Sequence, residues 1–158
     1  MHLFTKITSF YVVSDSFTFV LMLLNISYKN PKQEQTITEL VGKPFSLRER
    51  LTLSGVGSPK LIIISSSPKI ANLLLLDNNQ DICNVELRPK GLIIRFRSLL
   101  ETYAIIIPYY KLSIFKGTAS SYTIHAEAKK IEVEMDRKVT RFFSKITKQK
   151  AAYLSDFK

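Results

Sequence analysis

Five cations in the last quarter of the chain have the spacing of a single surface. Arg137, Lys138, Arg141, Lys145 and Lys148 fall within about 100° of arc at 3.6 residues per turn, and no acidic residue interrupts the run from Arg137 to Ser155. A helix striped in this way lacks the i to i+4 carboxylates that would neutralise it, so it predicts capture of an external anion. The plainer alternative is a solvated helix face. A second basic group, Arg88, Lys90, Arg95 and Arg97, surrounds a predicted turn, where Glu86 and Glu101 are candidate internal partners for Arg95. Tyr109 and Tyr110 beside Lys111 have the composition that stacks a base or sits at a membrane interface, and alternation must turn one of the two rings inward.

Other reactive residue types are sparse. The predicted strand register sets His125 opposite Glu132, but no nucleophile motif accompanies them, so a cross-strand surface pair is expected rather than a general base. His2 lies far away in the N-terminal arm, metal-ligand spacing is lacking, and no glycine-rich phosphate loop occurs; neither cofactor, metal nor enzymatic activity is expected. The lone cysteine, Cys83, precludes an intramolecular disulfide, suits a reducing compartment and falls on an inward face.

The elements that must carry these residues follow from periodicity. Cys83 to Arg88 and Gly91 to Phe96 alternate around Pro89-Lys90, and an even-length turn pairs Leu87 with Leu92, Val85 with Ile94 and Cys83 with Phe96 on one apolar face. The other face then carries Asn84, Glu86, Arg88, Ile93, Arg95 and Arg97. Tyr122 to Glu127 and Ile131 to Met135 alternate likewise across a turn near Ala128 to Lys130, pairing Ala126 with Ile131, Ile124 with Val133 and Tyr122 with Met135. Tyr103 to Ile107 and Tyr109 to Phe115, separated by Pro108, give two more strands, and Leu73 to Leu76 a seventh. The period then changes: Val139, Phe142, Phe143, Ile146 and Tyr153 share one helical face behind Asp136 at the N-cap position.

Seven antiparallel strands closed by one helix resemble the pleckstrin-homology (PH) superfold, and the texture is similar to its GRAM-like branch. The likeness rests on Val85 to Ile94 as a strand-turn-strand opening, on the Ile107-Pro108-Tyr109-Tyr110-Lys111-Leu112 step, and on Val139 to Ile146 as a capping helix. The chain as a whole resembles small uncharacterised proteins of Bacteroidetes bacteria. The resemblance implies an α+β fold, a seven-stranded PH-like sandwich or barrel over residues 69–158 with a helical or mixed extension over residues 1–68. It also implies binding of phospholipid headgroups, peptides or proteins without catalysis. A first-hairpin loop is where such a fold would hold a headgroup, which makes Arg88 and Lys90 candidates by resemblance.

Composition bounds the partner. With 158 residues, 46% apolar, the chain suits one domain with a real core. A balance of 23 basic against 13 acidic residues, net +10, draws anionic partners: an anionic phospholipid surface, an acidic protein or nucleic acid. Residues 7–28 hold one charge, Asp15, yet an aspartate inside a span costs about 2.5 to 3.5 kcal/mol and the uncharged piece after it falls short of the ~20 residues needed. Two helices, or a strand packed on the domain, are expected there, ahead of a membrane anchor or an export signal. This places the protein in the cytoplasm or peripherally at the inner membrane. Residues 29–44 read as a polar connector, and Arg48 to Leu53 and Leu61 to Ile64 as strands. Ser58-Pro59-Lys60 and Ser67-Pro68-Lys69 are S-P-K steps of the kind found in minor-groove binding tails, but flanking apolar runs they read as strand starts.

Overall fold

The computed structural model describes residues 22–77, 80–117 and 120–157. The fold class is α+β: eight antiparallel strands and a C-terminal helix, with six of the strands in residues 69–158, where periodicity predicts seven. The strands are β1 (Met22–Asn25), β2 (Leu61–Ser66), β3 (Ile82–Arg88), β4 (Gly91–Ser98), β5 (Glu101–Pro108), β6 (Ser113–Lys116), β7 (Ser121–Ala126) and β8 (Lys129–Glu134), hydrogen-bonded in the order β1-β5-β4-β3-β2-β8-β7-β6. Strand β2 joins the two halves. Its Leu61 and Ile62 pair with β3, whereas Ile63, Ser65 and Ser66 pair with β8 across a register shift that bends the strand.

The first hairpin has the register its alternation dictates, with Leu87 opposite Leu92, Val85 opposite Ile94 and Cys83 opposite Phe96. These six side chains are buried in one cluster with Ile63, Ile105, Ile107, Ile124 and Val133, so the apolar faces of both halves of the sheet meet in a common interior. The second hairpin keeps its predicted faces but slips by two residues: Ile124 lies opposite Ile131 and Tyr122 opposite Val133. The reason is a tighter turn than expected. Only Glu127 and Ala128 connect the strands, and Glu127 takes φ +52, the left-handed region. An even slip leaves Tyr122, Ile124, Ala126, Ile131 and Val133 inward, so the core survives it.

Two predicted strands are helices. Leu73 to Leu76 belongs to α3 (Pro68–Leu75), begun by Ser67-Pro68 with proline in the first turn, where its missing N–H costs nothing. This helix buries Ile70 and Leu74, four residues apart, and leaves Leu75 outside. Residues 48–53 fall largely in α2 (Leu47–Thr52), started by a reciprocal capping box between Ser46 and Glu49. The polar connector also folds: α1 (Pro31–Val41) is capped by Asn30, whose side-chain oxygen accepts from the N–H groups of Lys32 and Gln33. Helix α1 covers the outer face of the sheet, so Ile93, read as solvated, is buried with Val41, Ala104 and Ile106 in a second small cluster. Gly91 permits this approach, because a Cβ there would stand 2.3 Å from the Ile107 carbonyl oxygen and 2.7 Å from Val41 Cγ1.

Helix α4 (Arg137–Ser155) closes the chain as its pattern predicts. The Asp136 carboxylate accepts from the Val139 N–H at 2.8 Å, and Val139, Phe142, Phe143 and Ile146 are buried. Phe143 stacks on Tyr122 with ring centroids 4.4 Å apart. A 3-10 turn, η1 (Tyr109–Lys111), links β5 to β6 and packs against α4 through Tyr109 and Tyr153. Most of the apolar stretch 7–28 lies outside the described residues; of its described part, Met22–Asn25 form an edge strand on β5. Among the described residues no helix is long and apolar enough to cross a membrane.

Candidate functional site

The five predicted cations of α4 lie on its outer side. Arg137, Lys138, Arg141 and Lys148 are exposed, while Lys145 is half-buried and donates from Nζ to the carbonyls of Ser54 and Gly55, at 3.3 and 3.0 Å. That contact ties α4 to the loop after α2 and holds the middle of the stripe in place. Lys150, outside the predicted set, donates to the Leu112 carbonyl. Among the described residues none of the five predicted cations makes a salt bridge.

The first-hairpin cluster does not form as a unit. Arg88 is buried, contrary to its expected place on a solvated face; Nε meets Glu86, and Nη1 donates to the Gly42 carbonyl at 3.2 Å. Helix α1 and the chain following it cover that position, which local alternation could not anticipate. Arg95 also pairs with Glu86, so of its two candidate partners the cross-strand one is used. Burial pushes the Glu86 carboxyl up, but the neighbouring Arg95 and Arg88 more than offset this and hold it below the usual carboxylate range. Lys90 is exposed in the β3–β4 turn and Arg97 near the far end of β4, about 20 Å apart along the strand. Lys90 therefore remains a free-standing turn cation, and Arg97 belongs to a different surface.

That surface is a groove of about 770 Å3 beside the β4–β5 turn, with Lys60 and Arg97 among its lining and Leu99 and Leu100 at its lip. A second groove, about 520 Å3, runs beneath α1 along Lys29, Gln33, Arg88 and Arg95. The sequence pattern marks Lys60 only as part of a strand start and leaves Leu99 and Leu100 outside the predicted strands. A signal was present, since two leucines stand between strand runs at the place where Gly, Asn or Asp is usual.

The remaining chemistry is structural. Tyr109 is buried, its hydroxyl donating to the Arg88 carbonyl at 3.0 Å and its ionisation pushed up by burial; Tyr110 is the exposed ring, with Lys111 Nζ 6.0 Å from its centroid. The expected His125–Glu132 pair does not form, because the two-residue slip sets His125 opposite Lys130. Glu132 instead accepts from Ser121 and Ser65, both at 2.8 Å, and these hydrogen bonds hold it below its usual range. Cys83 is buried, and desolvation pushes its thiol up to about 12, the opposite of nucleophile activation. Among the described residues no group of His, Cys, Asp and Glu side chains could hold a metal ion. No protein-family model matches the chain, and neither a curated protein nor a solved structure matches it.

Proposed function

We infer that this protein is a non-enzymatic, PH-like binding or scaffold module of the cytoplasm that engages an anionic membrane surface or an acidic protein through α4. The observation that carries the reading is the stripe itself. Arg137, Lys138, Arg141 and Lys148 face water on a well-anchored helix that carries no acidic residue between Arg137 and Ser155, and the chain's charge of +10 gives that face a long-range attractive field. Leaving aside the edge strand β1, the order of seven strands and a closing helix supports the PH-like reading. Near an anionic bilayer each such cation adds about 1 kcal/mol, so four together suffice for reversible attachment.

The test is co-sedimentation with vesicles of phosphatidylcholine alone and with added phosphatidylserine, run beside RNA retention at rising salt. Replacing Arg137, Lys138, Arg141 and Lys148 together by Gln should weaken binding to the anionic vesicles or to an acidic protein. Unchanged binding would remove α4 from the account, and tight salt-sensitive RNA retention would favour the nucleic-acid alternative.

A further inference from the structure

The β4–β5 connection consists of Leu99 and Leu100 alone, since Ser98 already pairs with Glu101. Leu99 adopts φ +55, a conformation suited to glycine at the first position of a two-residue turn, and both side chains stand in water, 57% and 89% exposed. Neither position calls for leucine: the φ at 99 suits glycine, and both side chains are mostly exposed. Next to this turn lies the end of α3. The Ser98 hydroxyl donates to the Leu73 carbonyl, and the Leu99 N–H donates to Asp77 Oδ2 at 3.2 Å. These two tethers flank Leu75 and Leu76, which are 79% and 58% exposed. Four leucines are thus held together, projecting from two separate turns of one end of the molecule.

We propose that this leucine-tipped end is a membrane-docking site: the four leucines enter the acyl boundary of an anionic bilayer, and Lys60 and Arg97 in the adjoining groove receive a lipid phosphate. The groove begins at the leucine lip, and among the described residues neither cation makes a salt bridge. Apolar tips bordered by unpaired positive charge match the layering of a bilayer, with hydrocarbon inside and phosphate at its rim. The leucines form neither a strand edge nor a continuous cleft, so their shape suits a fluid layer better than a rigid protein pocket. This inference does not rest on α4, which packs against η1 at the other end of β5, about 25 Å along that strand. A bilayer at the leucine end would leave the basic helix available to a second, acidic partner.

The full-length chain separates these possibilities. Leu99→Gly with Leu100→Ser removes the apolar tips and installs the residue that the turn's φ favours, so the thermal midpoint should hold or rise. Affinity for phosphatidylcholine vesicles containing phosphatidylserine should fall about tenfold or more. Because the chain has no tryptophan, Leu100→Trp supplies a single reporter whose emission should shift to the blue on those vesicles. That shift should persist when the α4 cations are neutralised and weaken in a Lys60→Gln, Arg97→Gln background. An unshifted reporter, unchanged affinity of the Gly-Ser variant, or no vesicle binding by the parent protein would each overturn the proposal. So would a parent dimer that the Gly-Ser variant converts to monomer without loss of vesicle binding, since the leucines would then cover a second copy.

Discussion

Glu86 shows how one side chain organises several others. It accepts from both Arg88 and Arg95, and among the described residues Glu86 is the carboxylate that pairs with the buried Arg88. Glu86→Gln leaves a buried guanidinium without its counterion. Discounting for the partial exposure of Glu86 and Arg95, urea denaturation should register a loss of about 2 to 3 kcal/mol. The same group sets a pH dependence. Its folded pKa lies below the ordinary value of 4.5, so its contribution is fully present above that value and is lost as pH falls through the lower folded one. In the Gln variant, stability should fall less steeply on acidification over that window. At Cys83 burial and the raised thiol predict no reaction with a thiol reagent at neutral pH until the protein unfolds, so alkylation should track the unfolding transition.

At the scale of elements, capping and close approach decide what periodicity leaves open. The run Leu73 to Leu76 is apolar on every side, and such a run is equally compatible with a buried strand and a helix. Ser67-Pro68 at its head resolves it to a helix. The Ser46–Glu49 box does the same for α2, and Asn30-Pro31 for α1; both signals stand in the sequence, beside segments whose polarity or short apolar spacing points elsewhere. The second hairpin misled for a different reason. A positive φ at a glutamate carries no compositional signature, so alternation predicts a loop two residues longer than the one present and sets His125 opposite the wrong partner. Gly91→Ala tests the α1 contact: its Cβ would meet backbone and the Val41 side chain, and overpacking should cost about 1 to 3 kcal/mol by thermal or urea denaturation. Asn30→Ala should cost about 1 kcal/mol through loss of the α1 cap.

Across the whole molecule, β2 is the strand on which both halves depend. It pairs with β3 at one end and β8 at the other, and Leu61 and Ile63 contribute to the cluster shared by both. Leu61→Ala should therefore lower stability by about 2 to 5 kcal/mol while unfolding remains a single transition, with tyrosine fluorescence and circular dichroism giving coincident midpoints. Separate midpoints would mean that the two halves hold together independently of β2.

Alternation along the chain was enough to assign the first hairpin, its inward face and the amphipathic α4 with its basic outer side. Each depends on contacts between neighbours in sequence, or across one short turn, so the pattern of residue types encodes it directly. The nine predicted cations were legible as residues but not as a site. Packing of α1 buried Arg88 beneath the chain, β4 carried Arg97 away from Lys90, and the end of α3 came beside Leu99 and Leu100. Those placements depend on long-range contacts between segments tens of residues apart, which no local period records; burial of a common core selects them only once the whole chain has folded.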